Sequence, residues 1–299
     1  MMRIVTYCWP EAAIGTTVER FLRRQGVSRR VLIDLKNTPG GLTIDGRPVR
    51  TVDRLPEAGV LRLSLSETDC SDTIAQADLP LEIIYEDEDL FVINKQAGMA
   101  VHPSPQNREN TVANALAARY ARQHLPFVFR AIGRLDKNTS GLIVLAKNAL
   151  SAGLLTDMAA RREMTHTYLA VCAGELSPTG TIDAPIGRAD DSLIRREVRA
   201  DGARAVTHYE RIAFQDGYSL ARVRLETGRT HQIRVHFAYI GHPLPGDFLY
   251  GPDFARIGRH ALHAHTLTLR QPVTGAPLAF TAPLPDDMRQ FFPAFSCIS

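Results

Sequence analysis

At 299 residues, 44% of them hydrophobic, the chain is long enough for one large domain and a small one. No apolar run approaches the ~20 residues of a membrane span, and no basic segment followed by an apolar stretch opens the chain, so a soluble, cytoplasmic protein is expected. Cys8, Cys70, Cys172 and Cys297 are far apart and form no C-x-x-C pair, which argues against a zinc ribbon or a disulfide scaffold and for reduced thiols, while the net charge of +3 says little until its distribution is read.

Residues 1–66 carry 11 Lys and Arg against 6 Asp and Glu, whereas residues 67–94 carry 9 acidic residues and no basic one. That shift, with Ser66, Thr68, Ser71, Asp72 and Thr73 inside it, predicts a first unit over 1–70, an acidic linker over 71–80 and a large unit over 81–299. In the first unit Thr16 and Glu19 have capping-box spacing around Val18, Phe21 and Leu22, and Gly26 ends that helix. Ser28 caps a second helix that turns Val31, Leu32 and Leu35 inward and stops at Pro39-Gly40-Gly41. Leu42 and Ile44 alternate into Asp45-Gly46, a strong hairpin signal, and Leu61, Leu63 and Leu65 alternate again. Arg23, Arg24, Arg29 and Arg30 surround the start of the second helix, either as a solvated basic face or as phosphate contacts aided by a helix N-terminus.

Leu81 to Lys95, LEIIYEDEDLFVINK, predicts two apolar strands around the acidic turn Glu86 to Asp89. Asn110 or Thr111 then starts a helix on which Val112, Leu116 and Tyr120 recur every four residues. The stretch AIGRLDKNTSGLIVLAK, residues 131–147, sets turn formers (Asp136, Asn138, Ser140, Gly141) directly against an apolar run from Leu142 to Leu145, so a loop enters a buried strand. Asp136 therefore sits beside a rigid element. A carboxylate held in this way suits nucleophilic or acid/base chemistry, and it equally suits capping a turn through the N–H of Asn138 or Thr139.

Asn148 caps a helix with Leu150, Leu154, Leu155 and Met158 inward. Thr165 to Ala173 follows as a strand with Tyr168, Ala170 and Cys172 on one face, Tyr168 being either a packing aromatic or a stacking platform. Arg188, Arg195, Arg196, Arg199 and Arg204 make residues 187–205 a basic region with Asp201-Gly202 as its hairpin tip, read as a clamp on an RNA backbone or as a solvated loop. In TGRTHQIRVHFAYIGHPLPGDFLYG, residues 227–251, Thr230 is the expected N-cap, Ile233, Phe237 and Ile240 share a face, and Gly241 with Pro243 closes the helix. Arg234 follows an inward-facing residue, and a partly buried guanidinium asks for a carboxylate. His231, His236, His260, His263 and His265 have no cysteine or closely placed acid to complete a ligand set, so no metal site is predicted. Leu267, Leu269, a turn at Pro272 to Gly275 and a short helix into Phe291 and Phe292 finish the chain.

Four of these stretches, in this order, resemble the RluA-type pseudouridine synthases. Arg134, Leu135, Asp136, Thr139, Ser140 and Gly141 match the Arg-Leu-Asp-x-x-Thr-Ser-Gly motif, with Gly133 where a His often stands. Gln96 replaces a Pro, His166 a Lys and Gln271 a His of the usual patterns. The first unit resembles the alpha-L RNA-binding module of a small-subunit ribosomal protein. The resemblance implies an α+β fold: a catalytic domain on a mixed, largely antiparallel sheet flanked by helices, preceded by a small helix-helix-sheet RNA-binding domain. It implies an isomerase that converts a uridine of structured RNA into pseudouridine, with large-subunit ribosomal RNA favoured and transfer RNA the alternative. No cofactor is expected, and the chain has no G-x-G-x-x-G or P-loop string.

By the same resemblance, Asp136, Tyr168 and Arg234 are catalytic. Asp136 attacks the anomeric carbon or abstracts a ribose proton, Tyr168 stacks on the base, and Arg234 pairs with Asp136. Arg134, Thr139 and Ile233 meet the substrate, Arg134 filling the space that a flipped base vacates, and Arg29, Arg30, Arg188 and Arg196 meet the RNA backbone. A monomer is the default. Two other classes stay open, an RNA-binding protein without catalysis and a nucleoside or glycoside hydrolase, which needs a second catalytic carboxylate.

Overall fold

The computed structural model describes residues 2–67, 71 and 73–293. Thr68, Asp69 and Cys70 at the end of the expected first unit, Asp72 of the expected linker, and Cys297 lie outside the described residues.

The first unit is a four-stranded sheet, ordered β1-β4-β2-β3, backed by two helices. Strand β1 (Met2–Tyr7) precedes α1 (Val18–Arg24) and α2 (Arg29–Asn37), followed by β2 (Leu42–Ile44), β3 (Arg47–Pro48) and β4 (Leu61–Ser66). Helix α1 begins one residue later than the capping-box spacing predicts. Thr17, not Thr16, accepts the Arg20 N–H, because the Thr16 hydroxyl donates to the Ala13 carbonyl at 2.7 Å and closes the preceding turn. Ser28 caps α2 as expected. Asp45 and Gly46 both have positive φ, 47° and 81°, the backbone a two-residue hairpin requires. Strand β1 has no sequence signal of its own: only Val5 is buried along it, and its partner β4 lies about 60 residues away in register Met2↔Ser66.

The remaining chain forms a ten-stranded sheet. In chain order its elements, with the helices and one separate hairpin, are β5 (Glu82–Glu86), β6 (Leu90–Lys95), α3 (Val112–Arg122), β7 (Ala131–Ile132), β8 (Ser140–Ala146), α4 (Ala149–Ala160), β9 (Thr165–Ala173), β10 (Thr179–Asp183), β11 (Ile186–Arg188), β12 (Arg196–Val198), β13 (Val206–Gln215), β14 (Tyr218–Leu225), α5 (Gln232–Tyr239), β15 (Leu262–Arg270), β16 (Pro277–Thr281) and α6 (Asp286–Arg289). The order across the sheet is β10-β13-β14-β9-β15-β8-β6-β5, with β16 on β15 and β7 on β8. Among the described residues every pairing between strands of this sheet is antiparallel except β15 with β8, so the fold is α+β on a mixed, largely antiparallel sheet. Strand β8 is buried along its whole length: Leu142 and Val144 pack with Leu155 of α4, while Ile143 and Leu145 face Leu116 of α3.

At the single parallel junction Gly141 faces Ala264 with φ at 107°, and a Cβ there would lie 2.2 Å from the Ala264 carbonyl oxygen. Only glycine lets the two central strands approach this closely, and the loop carrying Asp136 is thereby drawn against the sheet. The β11–β12 hairpin turns over residues 189–195, and Asp201-Gly202 instead reverses the chain after β12, where Ala203 bridges back to Ile186. No helix among the described residues is long and apolar enough to cross a membrane.

The two sheets are tied together through α4. Leu150 and Leu154 join the core of the first unit, and Arg3 of β1 donates to both oxygens of Asp89 at 3.0 and 2.7 Å. Asp89 is fully buried and also accepts from Asn148, Ser151 and Gln271. Burial alone would raise its carboxyl pKa, but these hydrogen bonds outweigh it and hold the group below the usual range.

Candidate active site

Asp136 lies in the loop that enters β8, and that loop is fixed from beneath by two buried cations. The Lys95 ammonium donates to the carbonyls of Met99, Gln96 and Lys137 at 2.8, 3.0 and 3.0 Å. The next carbonyl, that of Asn138, accepts from Arg259 Nη1 at 3.0 Å, while Asp287 takes the opposite edge of that guanidinium at 2.6 and 2.8 Å. Thr139 Oγ1 lies 2.8 Å from His260 Nε2, and Ser140 Oγ lies 2.9 Å from His263 Nδ1. Burial drives the Lys95 pKa down to about 7, with the Arg259 charge adding to it and the Asp136 charge opposing it.

With its backbone pinned, Asp136 does not use its carboxylate as a turn cap. The Thr139 N–H is taken at 3.1 Å by the Asp136 backbone carbonyl, and the side chain, 28% exposed, turns to Arg234, whose Nη1 donates to Oδ2 at 2.9 Å. The carboxylate that Arg234 asks for is therefore present, and a second one with it. Arg234 Nε and Nη2 donate to both oxygens of Asp247 at 2.7 and 2.8 Å, a bidentate pair in which Asp247 is 0% exposed. Burial works against the Arg234 charge, but Asp247 and Asp136 outweigh it and raise the guanidinium pKa.

Asp247 went unassigned in the sequence, although it is the only acid between Thr227 and Gly251. It does not supply the second catalytic carboxylate of a hydrolase: it is wholly buried, and its oxygens are committed to Arg234 and the Leu249 N–H.

Helix α5 delivers Arg234 without the expected Thr230 cap. Its preceding residue is His231, in left-handed conformation with φ at 59° and no capping side chain; the Gln232 amide folds back instead, accepting from the Arg229 N–H and the Thr227 hydroxyl at 2.9 Å each. Ile233 and Phe237 are buried and Ile240 packs beside them, as their spacing requires.

These groups meet at an open cleft of about 630 Å³ whose lining includes Arg134, Asp136, Thr139, Tyr168, Arg196 and Arg234. Ile233 lines it too, so seven of the ten expected site residues come together. Arg29 and Arg30 are exposed at the start of α2, and Arg188 is exposed in the β11–β12 hairpin, all three away from the cleft lining. Tyr168 projects from the middle of β9; burial, with Asp136 beside it, pushes its phenol up to about 12, so it stays protonated. The His166 ring stacks on it at 6.1 Å and 27°, and burial lowers that imidazole to about 4, leaving a neutral pair of rings on the cleft wall.

The arginine-rich stretch is less basic than its arginines suggest, since Asp190, Asp191, Glu197 and Asp201 lie among them. Arg195 pairs with Asp191, Arg199 with Asp190 and Asp201, and Arg204 with Glu226. The histidines are hydrogen-bonding members of the core: His263 and His265 both contact the Ala282 carbonyl, and His236 lies between Thr207 and the Ala184 carbonyl.

Comparison with known proteins places this architecture among RNA-modifying enzymes. Residues 89–239 match the RNA pseudouridylate synthase family. The chain is 39% identical over 273 residues to the uncharacterized RNA pseudouridine synthase YjbO of Bacillus subtilis, covering 91% of this chain and 96% of the relative. It is 41% identical over 227 residues to the ribosomal large subunit pseudouridine synthase D of Escherichia coli, covering 71% and 69%. Among solved structures, human RNA pseudouridylate synthase domain containing 1 superposes with a TM-score of 0.57 at 27% identity, over 68% of this chain and 83% of that one.

Proposed function

The chain belongs to the RNA pseudouridylate synthase family, RluA type, and from that premise we propose that it isomerises one uridine of a structured RNA, foremost large-subunit ribosomal RNA, with Asp136 acting at the ribose. The observation that carries this reading is the Asp136–Arg234 pair at the floor of a cleft that also holds Tyr168.

The reaction breaks the bond between the anomeric carbon and N1 of uracil, turns the base, and joins the same carbon to C5. A proton leaves C5 and one arrives on N1, so atoms and electrons balance without redox chemistry or an external energy source. Asp136 starts this by attacking the anomeric carbon or by taking a ribose proton; a carboxylate with one oxygen held by Arg234 and the other open serves either route. Tyr168, locked as a neutral phenol, stacks on the base and holds it while it turns. Extruding the uridine costs a few kcal/mol. Arg134, exposed at the cleft mouth, offsets part of that by occupying the vacated position, and Arg196 meets a flanking phosphate. The exposed Arg29 and Arg30 extend the RNA contact onto the first unit, which we read as an RNA-binding module.

The test is a map of pseudouridine across unmodified ribosomal and transfer RNA treated with this protein. One or a few new sites are expected from the wild type, and none from Asp136→Asn with RNA binding retained. New sites formed by Asp136→Asn, or none formed by the wild type, would remove the proposal.

A further inference from the structure

His231 belongs to no part of the mechanism so far. It stands at the head of α5 with φ at 59°, a conformation that histidine adopts uncommonly and that aims its ring across the cleft floor. Its Nδ1 lies 3.0 Å from the Tyr250 hydroxyl, and its Nε2 lies 3.9 Å from Asp136 Oδ2. The Tyr250 oxygen accepts the Arg196 N–H at 2.8 Å, which leaves its phenolic proton free to be donated to Nδ1. Burial raises the Tyr250 pKa, keeping that proton in place. Burial also lowers the His231 pKa, assisted by Arg234 and Arg196 and opposed by Asp136 and Asp247, so the imidazole is neutral. A neutral imidazole carries one N–H. In the tautomer whose Nδ1 accepts from Tyr250, the N–H is on Nε2 and faces Asp136.

Both groups on this side therefore address the same carboxylate oxygen. Arg234 Nη1 donates to Oδ2 at 2.9 Å, His231 Nε2 faces Oδ2, and among the described residues no hydrogen bond reaches Oδ1. We propose that the Tyr250–His231 pair is a positioning device: it fixes the Nε2–H tautomer, which with Arg234 pins Asp136 Oδ2 and leaves Oδ1 as the oxygen that meets the ribose. At 3.9 Å the His231 contact is too long for a hydrogen bond in the free protein, and this role requires it to shorten in the substrate complex, as catalytic hydrogen bonds commonly do. This rests on Asp136 being the reacting group. It goes further in naming the oxygen that reacts and the residues that select it. Tyr250 also ties this selection to the hairpin, because its hydroxyl holds the backbone of Arg196 at the cleft edge.

The test compares His231→Asn, His231→Gln and Tyr250→Phe with the wild type in single-turnover pseudouridine formation on an unmodified ribosomal RNA transcript, with RNA affinity and melting temperature measured in parallel. Asn accepts the left-handed backbone but is too short to reach Oδ2, whereas the longer Gln amide presents an N–H in place of Nε2–H. The expected result is a rate loss of roughly 10- to 100-fold in His231→Asn at unchanged affinity and melting temperature. His231→Gln should return to within about five-fold of wild type, and Tyr250→Phe, which keeps its ring but loses the tautomer lock, should fall between them. An unaltered rate in His231→Asn, equal losses in the Asn and Gln variants, or a loss explained by weaker RNA binding would each overturn the inference. A wild type that forms no pseudouridine, or an Asp136→Asn variant that still forms it, overturns the reading beneath, and the two failures are told apart by those controls.

Discussion

At Arg234 one guanidinium serves two carboxylates with different fates. Asp247 is sealed and takes two of its hydrogen bonds, while Asp136 takes one and keeps an open oxygen at the cleft. Replacing Arg234 with Ala strands a buried anion, so we expect a loss of about 3–5 kcal/mol by urea unfolding together with loss of activity. The pair Arg234→Met with Asp247→Leu should recover most of that stability and none of the activity; recovery of both would contradict a role for Arg234 at Asp136. This division was half legible in the sequence. Arg234 announced its need for an acid by following an inward-facing residue, and Asp247, the only acid of its stretch, was the available signal for the second partner. His231 gave no such signal, because its left-handed backbone and its place beside Asp136 and Tyr250 join residues far apart in the chain and are visible only in the structure.

The strand β15 and its lead-in carry His260, His263 and His265, which bind the Ala282 carbonyl and the Thr139–Ser140 end of the loop that carries Asp136. Burial is the leading cause that lowers all three, His263 to about 4 and His260 to about 2, and it lowers His166 and His236 as well. An unfolded histidine titrates near 6.5, so below that pH the unfolded chain binds more protons and stability falls as pH falls; above about 6.5 the contribution is fully present. Each fully titrating histidine adds a slope of about 1.4 kcal/mol per pH unit. Urea unfolding at pH 7.5, 6.5 and 5.5 should therefore show a steep acid loss; a flat profile would mean that these rings take up protons within the fold. Strand β8 and helices α2, α3 and α4 were legible from local signals alone, an apolar run and three polar caps. The β1–β4 pairing was not, since a strand with one buried residue is defined by its distant partner. The weak net charge of residues 187–205 was legible, since Asp190, Asp191, Glu197 and Asp201 stand among the arginines; which acid pairs with which arginine was not.

Across the whole molecule, Asp89 joins the two sheets through Arg3 on one side and Asn148, Ser151 and Gln271 on the other. The departure at Gln271 is thus accommodated: its amide donates to Asp89, and its own Oε1 accepts the N–H groups of Val273 and Thr274 at 2.6 Å each. A first unit held this firmly places Arg29 and Arg30 at a set distance from the cleft, as the proposed second contact on a large RNA needs. Arg29→Gln with Arg30→Gln should weaken RNA binding and reduce the slope of log affinity against log salt by about 1–2, with the single-turnover rate at saturating protein unaltered. An unaltered salt slope would remove the first unit from the RNA interface.

The claim on which the rest depends is that Asp136 starts a reaction in which C5 of a uridine loses its hydrogen and the base is never released. RNA carrying tritium at C5 of uridine measures this directly. The wild-type protein should release tritium into water without any free uracil, and Asp136→Asn should release neither. Free uracil from the wild type, or tritium release undiminished in Asp136→Asn, would contradict the account.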